Sequence, residues 1–220
     1  MASTVWKTDL LEGDIQPKIA GILGSTLATW HNYGEKDESA RAKFMEDSLF
    51  EQLRIDPFYR YVQASNPQLN SQIQVLINEL EGDRTTIVHG DFSPKNIMVS
   101  PDGEVFILDY EVMHVGNPVF DLGFLLAHLL CKFFRTESEH DARLLALAAQ
   151  EFQEKYRELR PISPSLAKHT SLIALARVEG KSQLSYLNEH HREKLAKFTK
   201  SILTKEENVS VASLFEESAK

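Results

Sequence analysis

The chain has 220 residues, 42% of them apolar and 25% charged, with a formal net charge of −8 at pH 7. That is enough apolar chain for one good-sized core, and the negative balance argues against a nucleic-acid backbone or an anionic membrane as the main partner. One cysteine, Cys131, excludes an intrachain disulfide and fits a reducing, cytoplasmic setting, and residues 1–11 carry Trp6, Lys7 and Asp9 with no apolar signal region.

A first helix is predicted over residues 14–32. Asp14 caps it, Pro17 sits in its first turn, and Ile19, Ile22, Leu23, Leu27 and Trp30 share a face. Gly21 and Gly24 inside it have no β-prone flanks, so they mark close helix packing rather than a phosphate-cradling loop. Residues 33–41 read as loop and 42–54 as helix. Asp56-Pro57 is expected to break that helix, with another short element from Phe58 to Ala64. After an Asn66-Pro67 turn, Leu69, Ile73, Leu76, Ile77 and Leu80 make an amphipathic helix over residues 69–80.

The most informative stretch follows. Thr86-Ile87-Val88 leads into His89-Gly90-Asp91-Phe92-Ser93-Pro94-Lys95-Asn96, and two β-prone runs, 97–99 and 104–108, flank Pro101-Asp102-Gly103. This predicts a β-hairpin. A turn centred between Asp102 and Gly103 places Asn96 opposite Asp109. A carboxamide and a carboxylate then meet at the open end, with Asp91 on the loop beside them. Oxygen ligands grouped in this way suit a hard cation such as Mg²⁺, while Asp91 accepts a proton from a hydroxyl. His-x-Asp-x-x-x-x-Asn followed by an Asp after a hairpin is the phosphoryl-transfer spacing.

Beyond the hairpin, Asn117 caps a helix that begins at Pro118. Its run from Val119 to Phe134 is mostly apolar, interrupted by Asp121 and His128, and shorter than a bilayer span, so it reads as the central core helix. Asp121 in its first turn needs partners there: either backbone amides of the 89–96 loop or the helix's own N-terminus. His128 and Cys131 read as packing residues. Residues 139–159 form an amphipathic helix stopped by Pro161 and Pro164. Residues 165–187 form another, loosened at Gly180, in which Arg177, Glu179 and Lys181 present either a solvated face or the wall of an acceptor cleft. His190-His191 has no second ligand pair at metal spacing and reads as surface. Residues 189–203 make a last helix. The division is therefore one lobe over 1–203 and a polar, mobile tail over 204–220, with a weak helix at 209–217.

His89 to Asn96, Asp109-Tyr110-Glu111 and the Gly-Asn-Pro-x-x-Asp-Leu run from Gly116 to Leu122 resemble the motifs of the aminoglycoside phosphotransferase and choline kinase family, tightest over residues 87–130. The resemblance implies ATP and Mg²⁺ as cofactors and a small-molecule hydroxyl acceptor as partner. Asp91 is then the catalytic base, Asn96 and Asp109 hold the metal, and His89 and Asp121 brace the loop. Glu111 is placed at a second metal or its waters, and Ser93 and Lys95 are candidates for contact with the cofactor. Protein kinases usually carry a lysine where Ser93 stands, which favours a small acceptor. The implied fold is mainly α with a small β-hairpin (α+β), a protein-kinase-like C-terminal lobe. The family's N-terminal lobe normally supplies a glycine-rich strand-loop-strand and a strand lysine. Neither is readable before His89, so that lobe is expected to be absent, the chain opening near an inter-lobe hinge at Val5-Trp6-Lys7. A truncated chain, a lobe supplied by another chain and a non-catalytic ligand- or partner-binding module all accommodate that reading. Metal-dependent phosphoester hydrolysis by the same carboxylates is a weaker alternative.

Overall fold

The structure is a computed structural model that describes residues 3–216. β1 (Thr4–Val5) runs into α1 (Trp6–Glu12), and α2 (Pro17–Lys36) follows. α2 extends four residues past its expected end. His31 and Gly34 continue the buried stripe begun by Ile19, Leu23 and Leu27, so the face that meets the core outlasts the apolar pattern. The stretch expected to be loop also holds the one-turn α3 (Glu38–Arg41), capped by the Asp37 carboxylate.

α4 joins Ser48–Phe50, Glu51–Arg60 and Tyr61–Ser65 into one helical rod. Asp56-Pro57 does not break it. Glu51–Arg60 winds in wide turns, with the Tyr61 N–H reaching back five residues to the Asp56 carbonyl. Pro57 lacks an N–H and crowds the carbonyl four residues behind it in a regular helix; the wider winding relieves both defects. α5 (Asn70–Gly82) then leads to β2 (Thr86–Val88).

β3 (Ile97–Val99) and β4 (Val105–Ile107) form the hairpin, and β1 adds a third strand alongside β3. The hairpin register differs by one from the expected one. Its loop has three residues, with the Gly103 N–H bonded to the Ser100 carbonyl and Gly103 in the left-handed region at φ 83°. Ile97 therefore pairs with Ile107, the Leu108 N–H donates to the Asn96 carbonyl at 2.8 Å, and Asp109 falls one step beyond Asn96. β2 pairs antiparallel with β5 (His114–Gly116) in a second ribbon.

α6 (Val119–Arg135) is the core helix, buried at every position except Arg135. Each fully buried Leu or Phe on it contributes roughly 1.5–3 kcal/mol. α7 (Glu139–Arg157) packs along α2, α8 (Leu166–Glu179) along α6, and α9 (Glu189–Leu203) along α8. The helix expected over 165–187 stops at Gly180. The tail expected to be mobile instead docks. Val211, Leu214 and Phe215 are buried, and the Phe215 ring lies 5.5 Å from that of Phe133. Three apolar side chains in five residues outweigh the charged residues that precede them. The end of that tail, 217–220, lies outside the described residues.

The crossing of α2 and α7 supports a stability prediction. A Cβ on Gly24 would lie 2.2 Å from the Phe152 carbonyl oxygen, whereas one on Gly21 would meet only the flexible ends of Glu151 and Lys155 at 3.3 Å or more. Gly24→Ala should cost about 1–3 kcal/mol in urea unfolding, and Gly21→Ala should be neutral or mildly stabilising through helix propensity.

Candidate active site

The loop between β2 and the 3₁₀ turn Pro94–Asn96 carries Asp91, and its path is held from below by Asp121. The Asp121 carboxylate, fully buried in the first turn of α6, accepts the backbone N–H groups of His89 at 2.7 Å and Gly90 at 2.9 Å. A third donor is His31 Nε2 on α2 at 3.2 Å, and His31 Nδ1 lies 2.8 Å from the Tyr156 hydroxyl on α7. Burial opposes the charge on Asp121, but the hydrogen bonds from His31 and the His89 amide outweigh it and hold its pKa below the usual value. Burial pulls the His31 pKa down. The pair is therefore a carboxylate beside a neutral imidazole, with Nε2–H donating to Asp121 and Nδ1 accepting from Tyr156. Nothing in the sequence pattern singles out His31 or Tyr156, because their partners lie 90 and 125 positions away along the chain from His31.

Gly90 turns the loop with φ 75°, and a Cβ there would lie 2.6 Å from the Val112 carbonyl oxygen. Only glycine fits that combination. His89 links the loop to the hairpin: its Nδ1 accepts the Asp91 N–H at 3.2 Å and its Nε2 lies 3.1 Å from the Leu108 carbonyl. The residue before Asp109 and the residue after Gly90 are thus held by a single imidazole.

Asp91 is buried, and its Oδ2 gathers three donors: Arg54 at 2.9 Å, Lys95 at 2.8 Å and the Asn96 amide nitrogen at 2.9 Å. Arg54 comes from α4 and also donates through Nε to the Gly90 carbonyl at 2.8 Å. Its role was not legible in the sequence. It is an ordinary charged residue in a helix until the fold brings α4 against the loop. Asp91 Oδ1 is left to the cleft that Asp91 shares with Arg54, Phe58, Lys95, His128 and Arg177.

Asn96 directs its amide nitrogen to both the backbone carbonyl and Oδ2 of Asp91, which leaves its carboxamide oxygen available as an acceptor. Asp109 is exposed, one step beyond Asn96 on the facing strand, with φ 66°, a left-handed conformation that Asp and Asn tolerate. Glu111 is exposed two residues further on. Among the described residues no group of three or more His, Cys, Asp or Glu gathers around one point. A carboxamide and one carboxylate, both oxygen donors, instead suit a hard cation that completes its shell with phosphate oxygens and water. One expected cofactor contact needs correction: Ser93 is fully buried with its hydroxyl enclosed. Lys95 lines the cleft, half exposed, with its ammonium 2.8 Å from Asp91 Oδ2.

The architecture is mainly helical with a few short strands. It superimposes on a solved amicoumacin kinase, described in complex with AMP-PNP, Ca²⁺ and Ami, with a TM-score of 0.59 and 18% identity; the match covers 92% of this chain and 64% of that one. A model of the phosphotransferase enzyme family matches residues 2–162, and the chain belongs to that family. No curated protein matches it. Among the described residues no helix is long and apolar enough to cross a membrane.

The buried histidines predict acid sensitivity. His31, His114 and His128 all have pKa values pulled below the ordinary 6.5, in each case first by burial. The unfolded chain takes up those protons and the native one resists them, so stability is lost as pH falls through about 6.5. Asp121, depressed instead, should add a second loss below about pH 4. Urea midpoints should fall between pH 7 and 5, and His31→Gln should flatten part of that slope.

Proposed function

We propose that this protein transfers the γ-phosphoryl group of ATP to a hydroxyl of a small molecule, with Mg²⁺ as the metal. The observation that carries the reading is the arrangement of Asp91: Oδ2 pinned by three donors, Oδ1 turned to a cleft, and the Asn96–Asp109 pair adjacent. Membership of the phosphotransferase family supports it, as does the complex of the structural neighbour with AMP-PNP and Ca²⁺.

The residues divide the work as follows. Asp91 Oδ1 orients the acceptor hydroxyl and takes its proton as the bond to phosphorus forms, while the Arg54 contact keeps the carboxylate from rotating. Asn96 and Asp109 would hold Mg²⁺, which when bound neutralises charge on the phosphates. Glu111 would contact a second metal or its waters. His89 and Asp121 keep the loop and hairpin in one relative position. Val5, Met98 and Phe106 form one cross-strand apolar row, with Val5 and Phe106 exposed, and offer a platform for a nucleotide base.

Asp91→Asn should lower turnover by about 10²–10⁴-fold while Mg-AMP-PNP still binds; unchanged turnover would remove Asp91 from the mechanism. Asp109→Asn keeps a residue suited to the left-handed backbone, so its unfolding midpoint should stay near that of the wild type. Calorimetry should show that this variant has lost metal-dependent nucleotide binding. Retained binding would place the metal elsewhere.

A further inference from the structure

The cleft in front of Asp91 has a charge opposite to that of the protein as a whole. The chain carries a net −8, yet the walls of this cleft of about 380 Å³ hold three cationic side chains, Arg54, Lys95 and Arg177, against one carboxylate, Asp91. Arg54 and Lys95 both bind that carboxylate. Arg177 does not. Its guanidinium lies over the Phe58 ring at 5.5 Å and donates to the Ser182 hydroxyl at 2.9 Å. Its Nε is buried without a hydrogen-bond partner, and no carboxylate lies within ion-pair distance of it among the described residues.

A second cation stands behind the first. Lys132, buried on α6, has its Nζ 3.3 Å from the His128 carbonyl and 5.4 Å from the centre of the Tyr186 ring, again with no carboxylate in reach among the described residues. Burial, together with the charges of Arg177 and Lys7, pulls its pKa down to about 7. Burial and the charges of Arg177, Lys132 and Lys95 keep His128 neutral. Half-buried cations without counter-ions are costly. A ligand anion would remove that cost, and a guanidinium is the side chain best shaped to hold a carboxylate or phosphate with two hydrogen bonds. Arg177 also lies beyond residues 2–162 that match the family, on α8.

Resting on the phosphotransferase reading above, we propose that the hydroxyl acceptor is an anion, a small hydroxy acid whose carboxylate is bound by Arg177. The acceptor lies with its acid group at Arg177 and its hydroxyl at Asp91 Oδ1. The bond between the γ-phosphorus and the β–γ bridging oxygen breaks, and that oxygen leaves with the bonding electrons as part of ADP. A new phosphorus–oxygen bond forms to the acceptor oxygen, and the hydroxyl proton passes to Asp91. The excess of cations disfavours an acceptor that carries an ammonium group, because it would meet Arg177 and Lys95 without a free carboxylate to receive it.

The test uses the full chain with matched acids, neutral alcohols and amino alcohols: glycolate, glycerate and malate; ethylene glycol and glycerol; ethanolamine and serinol. ADP release is followed with Mg-ATP, and binding is followed by calorimetry with Mg-AMP-PNP. An acid should bind and react with a kcat/KM at least about 30-fold above its neutral partner, from the scale of a truncated charge pair. Arg177→Gln should raise the KM for that acid by a similar factor with kcat little changed, and Arg177→Lys should restore part of it. Preference for an alcohol or amino alcohol, or no effect of Arg177→Gln on KM, overturns the anionic acceptor while leaving the phosphotransferase intact. If Arg177→Gln weakens AMP-PNP binding instead, the charge serves the nucleotide's phosphates and the acceptor assignment falls. If nothing is phosphorylated, calorimetry still decides: Arg177-dependent binding of an acid upholds the anion site while the phosphotransferase reading fails, and no acid binding overturns the site.

Discussion

The carboxylate of Asp121 joins the most buried helix of the molecule to the loop that carries Asp91. An ionised carboxylate enclosed in a core is tolerated only when its lone pairs are filled. Here the donors are two consecutive backbone amides, those of His89 and Gly90, and the Nε2–H of His31. The arrangement is reciprocal. Without the carboxylate the two amides would be buried donors with no acceptor; without the amides the charge would be stranded. Because α6 is packed on nearly every side, the loop inherits the rigidity of the core through this single group. Asp91 stands one residue beyond these amides, so its position is set from below before any ligand arrives.

Charge is organised on two scales. The surface of the protein is acidic, which governs solubility and long-range attraction. The cleft at Asp91 is cationic, because Arg54 from α4, Lys95 from the loop and Arg177 from α8 converge on it. These residues are far apart in sequence and only the packing of α4 and α8 against the loop collects them. A count of acidic and basic residues therefore describes how the protein meets solvent and says nothing about what its cleft prefers.

Local irregularity is used where the site needs reach. The wide winding of residues 51–60 admits Pro57 into a helix and keeps Arg54 and Phe58 on a continuous rod. The third residue in the hairpin loop moves the strand pairing by one step, so that Asp109 lies past the last paired residue, in a left-handed backbone conformation, instead of within the ladder. A residue inside the ladder would alternate in or out with the pleat; one beyond it can direct its carboxylate to the open end beside Asn96.

The sequence by itself determined the parts whose information is local. His89 to Asn96, the Pro-Asp-Gly turn and Asp109-Tyr110-Glu111 state their spacing within a few residues, and the apolar run of α6 and the amphipathic stripes of α2, α5 and α7 state their period. Short-range geometry is enough to place a carboxamide near a carboxylate, even with the register one step off. Only the tertiary structure decided what depends on elements far apart: that Arg54 and Arg177 reach the cleft of Asp91, that His31 and Tyr156 complete the support of Asp121, that Ser93 turns inward, and that Leu214 and Phe215 anchor the tail. Hydrogen bonds and ion pairs between distant segments leave no periodic trace along the chain, because their partners are brought together by packing rather than by spacing.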